Sequence, residues 1–157
     1  MLPTVYIGNA VYSDMVLTVS AINSGPTGTA PESSGDVYDP STNRLTVPAI
    51  TLGAANYYNA TATVAGLVSI GGVTGADVYD GTYLVISSVQ VQGGSVYSEV
   101  IISVGNVIGA AGGMPKAVRD QYNPANHQLL IPAVQYAGKV YTNVTITVGS
   151  VLAVNPP

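Results

Sequence analysis

The stretch IPAVQYAGKVYTNVTITV, residues 131–148, decides the fold. From Tyr141 onward its side chains alternate, with Thr142, Val144, Ile146 and Val148 on one face and Tyr141, Asn143, Thr145 and Thr147 on the other. That period of two belongs to a half-buried strand, with one face in the core and one in water. Upstream, 129–136 is equally rich in β-favouring residues, and Ala137-Gly138-Lys139 is short enough to turn the chain back. The pair therefore reads as an antiparallel hairpin. Pro132 cannot donate to a ladder, so its position is expected at an edge, a strand start or a bulge. A lone hairpin is marginal in water, and this one needs neighbours to bury its apolar face.

Those neighbours are earlier versions of the same stretch. At an offset of 129 residues the N-terminus supplies Leu2-Pro3-Thr4-Val5, Gly8 and 11–19 without a gap. At an offset of 84, Tyr38-Asp39-Pro40, Leu45, Val47-Pro48-Ala49-Ile50, Tyr57, Asn59 and Val64 fall on their counterparts. A third version runs from Tyr79-Asp80-Gly81 through Leu84, Ile86, Val89 and Val91, turns at Gly93-Gly94, and returns through Tyr97 to Val104. It has Ser87 in place of the proline. Tyr12, Tyr57, Tyr97 and Tyr141 are 45, 40 and 44 residues apart. Spacing of that kind marks a repeat architecture in which each unit is one supersecondary element. The units span approximately 1–22, 36–72, 77–109 and 120–154, separated by the turn-forming segments 23–35, 71–76 and 109–118. The last three open on a Tyr-Asp or Tyr-Asn segment, and the first starts directly at Leu2-Pro3.

The expected fold is therefore all-β: tandem antiparallel hairpin or meander repeats of about 42 residues, three complete and one lacking its opening strand. They are expected to form one domain of eleven to fourteen strands, arranged as a β-sandwich or a stacked sheet. The expected core faces are Met15/Leu17/Val19, Ala60/Ala62/Val64, Val100/Ile102/Val104 and Val144/Ile146/Val148.

Composition agrees and narrows the function. Of 157 residues only 8% are charged; Cys, Trp and Phe are absent, and eleven tyrosines carry all the aromatic content. A net charge of −4 with four dispersed cations excludes phosphate-driven nucleic-acid binding. No run is long enough for a membrane-spanning helix. No signal peptide is visible, which fits either a processed mature form or an excised fragment.

The pattern Tyr-Asp, Leu-x-Ile/Val-Pro-x-Val, Gly turn, Tyr-x-Asn-Val-x-Ile-x-Val resembles the tandem β-rich repeats of uncharacterised secreted or cell-surface proteins of bacteria. The resemblance implies a location outside the cell or on its surface, and a structural habit. It transfers no catalytic residue.

No residue set forms an active site, so no enzyme and no cofactor are expected. His127, the one histidine, sits in the turn-like 123–127 segment opposite Asn43 of the second repeat and reads as a polar turn residue. Asp36 and Asp39, and Asp77 and Asp80, recur as Asp-Val-Tyr-Asp. They offer a weak calcium site, though two carboxylates per loop fall short of six oxygens, and Asx turns explain them more simply. Asn59 and Asn143 head glycosylation sequons at equivalent positions, or else simply furnish the wet face of the strand.

Two classes of function fit. One is a structural, self-assembling extracellular protein, a homopolymer forming a filament, fibre or surface layer through intersubunit strand pairing. Its warrant is an edge undefended by charge, with Leu2, Pro3, Val5 and Ile7 as assembly residues because no spare strand is visible to close the first repeat. The other is a carbohydrate-binding or adhesive module of a longer surface protein.

Overall fold

A computed structural model describes residues 2–8, 10–24, 35–52 and 55–155; the 25–34 part of the first linker lies outside them. The described residues form twelve strands and no helix. The chain divides into two compact units, Met1–Gly72 and Val73–Pro157, where the sequence reads as one domain. Each unit holds two repeats.

The second unit contains β7 (Asp77–Tyr79), β8 (Tyr83–Val91), β9 (Val96–Ala110), β10 (Asp120–Asn123), β11 (Gln128–Tyr136) and β12 (Lys139–Asn155). The hairpins β8–β9 and β11–β12 lie side by side through the antiparallel pair β9–β12. The ring β10-β11-β12-β9-β8 closes because β10 also pairs with β8. Closure leaves a single slot, between β8 and β11, and two short strands share it. In it, β10 lies antiparallel to its own β11 and parallel to β8, whereas β7 lies antiparallel to its own β8 and parallel to β11. The two short strands thus run in opposite directions and meet head to head at Asp77 and Asp120. An internal twofold relates the repeats.

Alternation fills the ring. Leu84, Ile86, Ile102, Leu129, Ile131 and Ile146 are each at most 3% exposed and form one cluster. Burying each contributes roughly 1.5–3 kcal/mol. Tyr79 and Tyr136, paired across β7 and β11, pack with ring centroids 5.1 Å apart and planes tilted by 47°.

The first unit repeats this plan with β1 (Leu2–Ile7), β2 (Ala10–Ser24), β3 (Asp36–Asp39), β4 (Arg44–Leu52) and β5 (Ala55–Ser69) in the closed order β1-β3-β4-β5-β2. The short β6 (Gly72–Thr74) lies at the boundary of the units. Among the described residues the slot between β1 and β4 holds one short strand, β3, where the second unit has two. This corrects the expectation that no strand of the chain is free to close the first repeat. An opening strand serves two partners at once, so β3 pairs with its own β4 and also, in parallel, with Val5 and Tyr6 of β1.

The prolines lie within their strands at positions that the hairpin registers pass without a shift. Pro3, Pro48 and Pro132, with Ser87 in the third repeat, stand opposite Asp14, Asn59, Asn143 and Glu99 in their hairpin registers. Those four partners all have positive φ, between 50° and 61°. At the equivalent position Ser87 turns its N–H away from Glu99 and toward β7, so a proline there loses no ladder bond across the hairpin. The same kink turns Asn143 inward, and Thr142, Asn143 and Val144 are buried in succession. The predicted core faces otherwise hold at Met15, Ala62, Val64, Val100, Ile102, Val144 and Ile146. Val19 departs, at 45% exposed.

Candidate functional site

Two features of the second unit have chemical character: a buried acid pair in the slot, and an apolar groove at each end of the ring.

Asp77 and Asp120 are 2% and 3% exposed, each as the first residue of its short strand. Their Oδ2 atoms are buried and receive no hydrogen from an N–H or hydroxyl group. The two carboxyls interact with one another, so that a proton held by one can be donated to the other. Burial raises both above the usual carboxylate range, Asp77 from the ordinary 3.8 to about 6. Asp120 rises well above 3.8, through burial and then the charge of Asp77. Ser87 donates its backbone N–H to Asp77 Oδ1 at 3.3 Å, whereas its repeat counterpart, Pro132, has no N–H to give Asp120. In the first unit Asp36 takes the corresponding place and burial pushes it up to about 6.

These positions decide the calcium reading. Within each Asp-Val-Tyr-Asp the first acid is buried and the last exposed, so the two carboxylates do not converge on one ion. Asp39 Oδ1 accepts from Ser41 N and Oγ (2.9 and 2.6 Å), and Asp80 Oδ1 accepts from the N–H groups of Thr82 and Tyr83 (2.8 and 2.7 Å). These hydrogen bonds hold both carboxyls below the usual range. They are turn residues bonding their own backbone. Among the described residues no three His, Cys, Asp or Glu side chains gather.

His127 is likewise a turn residue, with φ of 58°, as has Asn43. The Tyr122 hydroxyl lies 3.1 Å from His127 Nδ1, matching Tyr38, which donates to Asn43 Oδ1 at 2.6 Å. Asn59 and Asn143 are 7% and 4% exposed. Asn143 Nδ2 donates to the carbonyls of Gly112 and Met114 (2.7 and 2.8 Å), and its Oδ1 accepts from Lys116 N (3.0 Å). A glycan on that nitrogen would take the place of one of the two donated hydrogens in a buried site, so this side chain organises the 111–118 loop. Of the expected assembly residues, Val5 and Ile7 are core, 0% and 1% exposed, while Leu2 is half-buried and Pro3 exposed.

The grooves have volumes of about 180 and 310 Å³, and each wall of one has its repeat counterpart in the other. Ile86 answers to Ile131, Tyr97 to Tyr141, Tyr122 to Tyr79 and Val151 to Val107. They lie at the two ends of the ring, since β8 runs from Leu84 in one to Val91 in the other. Sequence reasoning stopped the return strands near Val104 and Val148; β9 and β12 continue to Ala110 and Asn155. A signal was present: Val-Gly-Asn-Val-Ile at 104–108 matches Val-Gly-Ser-Val-Leu at 148–152.

No family model, curated protein or solved structure matches the chain.

Proposed function

We propose that this protein is a structural, self-assembling subunit of an extracellular filament, fibre or surface layer, joined to its neighbours by β-strand pairing. One observation carries the reading: strands whose outer edges are unpaired in their final halves bear exposed aliphatic side chains and no charge. Soluble proteins guard such edges with Lys, Pro, bulges or a covering loop. Here four cations in 157 residues leave little to guard with. A location outside the cell rests on the resemblance to surface repeats.

A second reading, a carbohydrate-binding module, draws on the tilted pair Tyr79 and Tyr136, which line one groove together with Tyr141. Such rings could stack on a sugar. The walls beneath are aliphatic and offer few of the hydrogen bonds a sugar needs, which favours assembly.

Electron microscopy and light scattering of the purified chain at neutral pH should show filaments. A monodisperse monomer at high concentration would overturn the proposal, and retention on immobilised polysaccharide would then favour the second reading.

A further inference from the structure

We infer that the strand pairing is made by the outer edges of positions 104–110 in β9 and 149–155 in β12, each taken by the equivalent edge of a second copy of this chain. This rests on the assembly reading and adds which backbone performs it. Beyond Ser103, β9 pairs only with β12, and beyond Val148, β12 pairs only with β9, among the described residues. Each strand therefore turns one side of seven residues to solvent with its N–H and C=O groups unpaired. Val107, Ile108, Val151 and Leu152 on these edges are 67, 53, 59 and 53% exposed. Val107 and Val151 are the more telling, because they line the grooves and should be covered, yet remain more than half exposed.

The occupant must be extended, carry an unpaired backbone edge, present aliphatic side chains on one face, and bring no charge into an apolar groove. A copy of the same two edges meets all four requirements. Their sequences, VGNVIGA and GSVLAVN, hold no charged residue and no proline. Uncharged β-favouring segments of about this length are the ones that pair between chains. With a net charge of −4, two copies repel wherever their acids face each other, and these edges are places where they do not. The internal twofold gives the second unit two such edges. Each copy thus takes two neighbours, so the assembly grows where a single edge would stop at a dimer.

The test compares wild type with Ile108→Lys, Leu152→Lys and the double variant, each confirmed folded by circular dichroism and an unchanged melting temperature. Both positions are more than half exposed, so a lysine is accommodated in the free molecule. Wild type should form filaments, each single variant nothing larger than a dimer, and the double variant a monomer. Val118→Lys, on an exposed loop valine, adds the same charge away from the edges and should leave filaments intact. Filaments of normal length from the double variant would overturn the edge assignment and leave the assembly reading standing. Loss of filaments in Val118→Lys would also overturn it, by tracing the effect to charge alone. A wild type that stays monomeric would overturn both.

Discussion

Replacing Asp120 with asparagine should make the protein more stable at pH 8 and flatten its dependence on pH. Asp77 rises from 3.8 to about 6 on folding, and burial raises Asp120 in the same direction. A carboxyl with a raised folded pKa binds more protons folded than unfolded, so its contribution is intact below about pH 4 and lost as pH climbs through the folded value. At about 1.4 kcal/mol per pH unit, Asp77 alone removes about 3 kcal/mol between pH 4 and pH 8. Asp36 in the first unit acts with the same sign. Asp39 and Asp80 have depressed values and act with the opposite sign, but below about pH 4. In the Asp120→Asn variant only one acid is left to ionise in the slot, and the new amide donates to it without adding a second charge. The variant should gain stability at pH 8 and change little at pH 4.5. Urea unfolding followed by circular dichroism from pH 4.5 to 8 measures both. A wild-type stability that is flat or rises over this range, or an Asp120→Asn slope equal to that of wild type, would refute the reasoning.

Ser87→Pro restores the residue found in the other three repeats and removes the N–H donated to Asp77, so it should destabilise by about 1–2 kcal/mol at pH 8 and less at pH 4.5, read by the same titration. Asn143→Gly keeps the positive φ but deletes three loop hydrogen bonds; amide exchange at Lys116 and neighbouring loop residues should accelerate, with a loss of about 2–4 kcal/mol. Ile146→Asp places an unpaired charge among Leu129, Ile131 and Val144 and should unfold the second unit, so an unchanged melting temperature would show that the ring interior is wrongly assigned.

How much of this was legible depends on what a repeat can encode. Alternation in 141–148 and its counterparts identified the hairpins, and the recurrent Tyr-Asp segment identified the opening strands, because both are local patterns. The inward turn of Asn143 was not legible from alternation, which placed it in water. Yet a clue lay across the hairpin, since Pro132 marks a departure from the regular pattern and Asn143 is the residue opposite it. Asp120 aligned with Asp77 in the repeat, but alignment says only that two residues occupy equivalent places, and equivalent places can be far apart. They touch because the ring closes on a twofold, with both opening strands sharing one slot. In a stacked array the same repeats would hold every such aspartate one unit from the next. The raised acids therefore report the closure itself: burial alone would raise Asp77, as it raises Asp36, but only head-to-head closure sets a second carboxyl against it. A pH dependence that weakens on removing either Asp77 or Asp120, by amounts that do not add when both are removed, would distinguish the closed ring from any stacked arrangement of the same hairpins.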